Sequence, residues 1–167
     1  MRYLVMLVGV AFLAGTVALN AAKKSADFSG TWVLNTEKSE LGDQSSGRRG
    51  GMPAAKLVVT QKDNNLTVES FRKDQDGNEV SMSSTYTLDG IECKNGDENR
   101  KSVSTAVWSA DGMLLTITSD ITMSRNGQDF TMKMVEKWSL GDGMLTVDGT
   151  RTSQRGERTT KAVYNKS

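Results

Sequence analysis

From Phe28 to the C-terminus the chain repeats with a period of two, and that periodicity decides what it can fold into. In FSGTWVLN, Phe28, Gly30, Trp32 and Leu34 share one face. In EVSMSSTYTL, Val80, Met82, Ser84, Tyr86 and Leu88 do the same. The longest run is MLLTITSDITMS, where Met113, Leu115, Ile117, Ile121 and Met123 alternate with Leu114, Thr116, Thr118, Asp120 and Thr122. Successive side chains of a strand point to opposite faces, so this pattern reads as half-buried strands and not as helices. Further strands are expected over residues 56 to 62, 65 to 72, 100 to 109, 128 to 140, 144 to 153 and 157 to 165.

The separators carry hairpin chemistry. KDNN (62 to 65) is one such turn, and DQDGN (74 to 78), ADG (110 to 112), RNG (125 to 127) and GDG (141 to 143) supply the Asn-Gly and Asp-Gly pairs that accept positive φ. Consecutive hairpins make an up-and-down meander, and a long meander leaves raw edges unless it curls and closes, so one barrel of about 8–10 strands is the expectation. VWSADGMLLTI (107 to 117) resembles KWSLGDGMLTV (137 to 147), each with a tryptophan ahead of an Asp-Gly turn. The repeating unit is a hairpin.

The amino terminus reads differently. Residues 1 to 22, MRYLVMLVGVAFLAGTVALNAA, have one charge, Arg2, then an apolar stretch, then small residues. This is the layout of a secretory signal peptide, which implies an exported protein, periplasmic or extracellular, with no stable membrane insertion after cleavage; a permanent membrane anchor over residues 3 to 19 is the alternative reading. Residues 23 to 167 then form a single domain. Lys and Arg total 21 against 20 Asp and Glu. Removal of Arg2 makes them equal, so nothing steers the chain toward nucleic acid. The single cysteine, Cys93, rules out an intramolecular disulfide.

One segment breaks the strand pattern. Residues 36 to 56, TEKSELGDQSSGRRGGMPAAK, are polar and glycine-rich, contain Pro53, and read as a mobile loop across one mouth of the barrel.

Extending the apolar face of each strand carries particular polar residues inward. Ser70 follows Leu66 and Val68, Ser84 lies between Met82 and Tyr86, and Ser119 lies between Ile117 and Ile121. Small residues in mid-strand leave room for a lumen. Its expected wall is Trp32, Met82, Tyr86, Trp108, Ile117, Met132, Met134 and Trp138. In the strand over 128 to 140, Glu136 falls in the inward row with Phe130, Met132, Met134 and Trp138. The short GDG turn favours 140 opposite 145, which sets Glu136 against Gly149 with Arg151 on the diagonal, within reach of an ion pair. Glu136 and Arg151 are therefore candidates to orient the polar head of an apolar ligand. A closing salt bridge at one end of the barrel is the alternative.

Enzymatic chemistry has little support. There is no histidine, which removes the commonest general base and metal ligand. Nucleophile-elbow, phosphate-loop and clustered-cysteine motifs are lacking, so neither a cofactor nor a catalytic residue is expected. DQDGNE at 74 to 79 has the acidic start of a calcium loop without its remaining ligands, and reads as a hairpin turn.

The entry motif FSGTWVLNTEKSELG, with STAVWSADGMLLTITS and EKWSLGDGMLTVDGTR, is similar to a group of small exported bacterial proteins of the lipocalin-like type, mostly of unassigned function. The resemblance implies a calycin-type barrel with the Gly30-x-Trp32 strand plugging one end. It also implies a basic side chain over that tryptophan, for which Arg151 and Arg158 are the candidates. Two functions arise as expectations. One is an exported carrier of a small apolar or amphipathic molecule. The other is an interaction module of the cell envelope, with a filled barrel and a protein partner.

Overall fold

In a computed structural model, residues 25–42, 53–74, 76–125 and 127–167 are described. The signal-peptide reading of residues 1 to 22 and the centre of the polar loop, 43 to 52, lie outside them. Ten strands run in chain order: β1 (Gly30–Leu34), β2 (Lys56–Lys62), β3 (Asn65–Lys73), β4 (Glu79–Thr87), β5 (Cys93–Gly96), β6 (Arg100–Trp108), β7 (Leu114–Arg125), β8 (Gln128–Gly141), β9 (Met144–Ser153) and β10 (Gly156–Lys166). They form one antiparallel sheet in the order β4-β3-β2-β1-β10-β9-β8-β7-β6-β5. Neighbours in the sheet are neighbours in the chain except β1 and β10, whose pairing of Trp32 with Lys166 brings the two ends of the meander together. Among the described residues, no helix is long and apolar enough to cross a membrane.

The turns form as their residues dictate. Asp63 and Asp142 both take φ of 52°, and Gly143 takes 74°. The pairs Lys62–Asn65 and Gly141–Met144 therefore close two-residue hairpins through left-handed positions. The register anticipated for β8 and β9 holds, with Leu140 opposite Leu145 and Glu136 opposite Gly149.

The sequence reading places nine strands, and the additional one is β5. It lies inside DGIECKNGDEN, where turn residues mask four residues of pairing between Cys93–Gly96 and Lys101–Ser104. β4 and β5 are the free edges of the sheet, and a side chain joins them. Asn95 accepts from Thr85 N at 2.8 Å through Oδ1 and donates to Thr85 O at 3.0 Å through Nδ2. One amide side chain thus stands in for a ladder rung, and the barrel is nearly closed.

One end is packed solid. Phe28 stacks on Trp108 with centroids 5.6 Å apart and meets Trp138 edge-on at 5.8 Å. Trp32 is buried and donates its indole N–H to Phe28 O at 2.8 Å. The paired tryptophans of the sequence repeat occupy one cross-strand row, Trp108–Leu115–Trp138–Val147–Ala162, running over five strands. This row and Phe28 form the floor of the barrel, as the Gly30-x-Trp32 resemblance implies.

The basic cover over Trp32 is a correction. It is Lys166, whose ammonium lies 5.3 Å from the ring centroid, and neither Arg151 nor Arg158. The physical reason is register: Lys166 is the direct cross-strand partner of Trp32, whereas Arg151 and Arg158 pair with each other toward the opposite end of β9 and β10. Gly30 makes this contact feasible, since a Cβ there would meet Lys166 Cε at 2.8 Å.

The flanks of the polar segment are held in place. Glu40 bridges to Lys161 on β10, and Ser39 Oγ donates to Asn35 O at 2.6 Å while accepting from Val163 N at 2.9 Å. Residues 36 to 42 thus run alongside β10 and are hydrogen-bonded to it.

Candidate functional site

Above the aromatic floor lies a lumen of about 240 Å³. At about 30 Å³ per water in the liquid, that is room for roughly eight water molecules or a short aliphatic chain. Of the residues predicted to line it, Ser70, Met82, Ser84 and Tyr86 do so from β3 and β4. Ser119 on β7, Met132, Met134, Glu136 and Trp138 on β8, and Arg151 on β9 complete the set.

Trp32, Trp108 and Ile117 do not line the cavity. All three point inward, as alternation requires, but Trp32 and Ile117 are buried in the core and Trp108 packs against it beside Phe28. Alternation gives the side of the sheet and is silent on height along the barrel. Pro53 and Ala54 line the lumen as well, so the end of the polar segment does reach its mouth.

The interior is ordered in tiers by strand pairing. Next above the tryptophan row comes Ala106–Ile117–Glu136–Gly149–Thr160. Then comes Ser104–Ser119–Met134–Arg151–Arg158. Glu136 and Gly149 both line the lumen, and Thr160 Oγ1 fills the space a side chain at Gly149 would take. Ser104 and Ser119, both buried, share a hydrogen bond of 2.8 Å and so satisfy each other.

Glu136 is shielded from bulk water, and its accessible surface faces the lumen. Burial raises its pKa, while Arg72 and then Arg100 pull the other way, with a smaller contribution from the Trp138 N–H. That N–H lies toward Glu136 yet makes no hydrogen bond of acceptable geometry: Trp138 is 3% exposed, and Nε1 is a buried donor without a partner among the described residues. Two tyrosines complete the polar ring. Burial, and then Glu136, push the Tyr86 phenol up to about 12, and Tyr164 moves upward for the same two reasons.

Arg72 and Arg100 are the site residues that motif reading misses. Both line the lumen, from β3 and β6. Burial lowers the Arg100 pKa, and the second cause is repulsion from Arg72. With Arg151, three cations and one carboxylate line the cavity. The signal was present: the inward parity that gives Leu66, Val68 and Ser70 continues to Arg72, and that of Trp108, Ala106 and Ser104 continues to Ser102 and Arg100.

The DQDGN segment is a hairpin turn in which Asp74 Oδ1 accepts from Asp76 N and Asn78 N, each at 2.9 Å. Its carboxylate is occupied by its own loop. Among the described residues, no group of three or more His, Cys, Asp or Glu is placed to hold a metal ion. Cys93 is a free, half-buried thiol whose sulfur accepts from Thr87 N at 3.2 Å.

No protein-family model matches the chain, and no curated protein matches its sequence. Solved structures do match its shape. Fatty-acid-binding protein 1 of Echinococcus granulosus superposes with a TM-score of 0.54 at 15% identity, covering 83% of this chain and 96% of that one. The zebrafish ileal bile-acid-binding protein, in complex with cholic acid, gives 0.51 at 13% identity, covering 84% and 98%. The chain therefore has the fold of these proteins, an all-β calycin-type barrel of ten antiparallel strands.

Proposed function

We propose that this protein is an exported carrier that holds one small amphipathic acid inside its barrel. The observation that carries the reading is the pair Arg72 and Arg100, two like charges lining one lumen, Arg100 partly buried and Arg72 exposed, whose wall also carries methionine, isoleucine, valine and tyrosine beside serines, Glu136 and Arg151. Neighbouring like charges repel and favour an anion between them, and apolar groups with a few convergent polar ones are the usual make-up of small-molecule sites. An acidic head on the arginines, with its apolar body against Met132, Met134 and Ile121, satisfies both. The flexible thioethers tolerate variation in the shape of that body.

Two further points support it. The barrels with the same fold are described as fatty-acid-binding and bile-acid-binding. Residues 1 to 22 have the pattern of a cleaved signal, which supports action outside the cytoplasm.

The test is native mass spectrometry of the mature protein purified gently from its own host, with denaturing extraction of what it carries. A discrete extra mass near one per chain, acidic on extraction, is expected. A clean apo mass, together with tryptophan fluorescence indifferent to medium-chain fatty acids, would reject the carrier reading.

A further inference from the structure

The lumen holds its own competitor for the arginines. Glu136 lines the same cavity of about 240 Å³ as Arg72 and Arg100, and those two cations are the charges that favour its ionised form. An acidic ligand in this cavity needs the same two groups. Once an anion engages them, an ionised Glu136 stays desolvated, loses its counter-charges and gains a neighbour of its own sign. A proton on Glu136 removes the conflict.

The groups around Glu136 leave that role to it. β3 presents Arg72 to the lumen, β6 presents Arg100 and β9 presents Arg151, while Arg158 of β10 is exposed, one tier further toward the mouth. Arginine does not lose its proton in proteins. β4 presents Tyr86, pushed up to about 12, and β10 presents Tyr164, also raised, each by burial first and Glu136 second, so both phenols stay neutral. Cys93 of β5 does not line the cavity, and its sulfur accepts from Thr87 N. The inward residues of β1, β2 and β7 are uncharged, among them Trp32, Leu57, Ile117 and Ser119. There is no histidine in the chain. Among the described lumen residues, Glu136 is therefore the group able to change charge between about pH 5 and about pH 8.

Building on the carrier reading, we infer that the barrel takes up its acidic ligand together with one proton, which Glu136 holds for as long as the ligand stays. Anion and proton enter together, so the charge of the lumen is the same empty and loaded. The coupling is reciprocal: loss of the proton as pH rises drives the ligand out. Affinity is full while Glu136 is protonated in the empty barrel, and falls as pH rises from its titration in the empty barrel to its titration in the loaded one.

The experiment is isothermal titration of the mature protein with 1-hexanesulfonate and 1-octanesulfonate from about pH 5 to about pH 8, repeated on Glu136→Gln. A sulfonate stays anionic across this range, so its own titration cannot produce the effect. Wild type should bind at least about fivefold more tightly at the acid end, with a slope of at most about tenfold per pH unit, the limit for one proton. Repeating the titration in buffers of different ionisation enthalpy should show proton uptake on binding. Glu136→Gln should take up no proton, and its affinity should change by less than about twofold across the range. In wild type, the carboxyl-carbon resonance of Glu136 should titrate at higher pH with the sulfonate bound than without it.

A wild-type affinity independent of pH overturns the inference and leaves the carrier reading standing. So does a Glu136→Gln variant that keeps the wild-type slope. If that variant fails to fold, the carboxyl resonance decides, and a titration midpoint unmoved by the sulfonate overturns the inference. Failure of wild type to bind either sulfonate at any pH overturns the carrier reading and the inference with it.

Discussion

Glu136 is a carboxyl held largely out of bulk water. Its pKa is raised by burial, against the opposing pull of Arg72 and Arg100, while Tyr86, Tyr164 and the Trp138 N–H complete its surroundings. A carboxyl whose folded pKa lies above its unfolded value holds its proton more tightly when folded, so stability falls as pH rises from the unfolded pKa through the folded one. Below the ordinary glutamate value of 4.5 both states are protonated and the penalty vanishes. Glu136→Gln should therefore melt higher than wild type at about pH 8, with the difference closing as pH approaches about 4. Melting curves of the two proteins across that range check this, and a gap independent of pH would show that Glu136 is not held against its charge. The same residue shows what was legible in the sequence. Period two and a two-residue turn sufficed to set Glu136 inward and opposite Gly149, because hairpin register is fixed locally. Arg72 and Arg100 were not reached, because β3 and β6 are not hairpin partners of β8, and only the curling of the sheet into a barrel brings them to face Glu136.

At the scale of the element, β5 is the weak point of the sequence reading and of the sheet. It is four residues long, without an apolar row, and it ends at Gly96, where φ is 102°. Alternation cannot reveal a strand too short to alternate. Its role depends on side chains: Asn95 pairs with both backbone groups of Thr85 on β4, and Cys93 Sγ accepts from Thr87 N. A hydrogen bond of this kind contributes about 0.5–1.5 kcal/mol net, so Asn95→Ala should loosen the β4 edge by about 1–3 kcal/mol while leaving distant strands intact. Hydrogen exchange should show faster labelling of peptides covering Glu79–Thr87 and Cys93–Gly96, with Leu114–Arg125 unchanged. Uniform acceleration would mean that the seam carries global stability instead. The strands with long apolar rows, β7 and β8, were legible from end to end for the converse reason: each has enough repeats of the pleat for its inward face to be unmistakable.

At the scale of the whole molecule, the recurrence of small inward residues marks the lumen correctly but does not tell which of them border free space. Ser84 lines the cavity opposite Val68 on the nearly closed side, whereas Ser119 is 7% exposed and bonded to Ser104. Ser84→Phe should fill the lumen, reduce ligand affinity by about tenfold or more and leave the melting temperature close to wild type. Ser119→Phe should also cost about 1–3 kcal/mol of stability, since it overpacks the wall and strands the Ser104 hydroxyl. Titration and thermal melts on the pair separate the two effects, and equal destabilisation would mean that both serines are packing residues.

The aromatic floor has one more consequence, and it concerns traffic. With Phe28, Trp108 and Trp138 closing one end, no molecule can pass straight through the barrel. Whatever goes in first comes to rest against Trp138 and is last to come out, and displaced water has to travel against the incoming guest. Orientation is thereby fixed at the moment of loading and cannot be corrected inside so narrow a space. A guest that enters backwards must leave completely before it can try again.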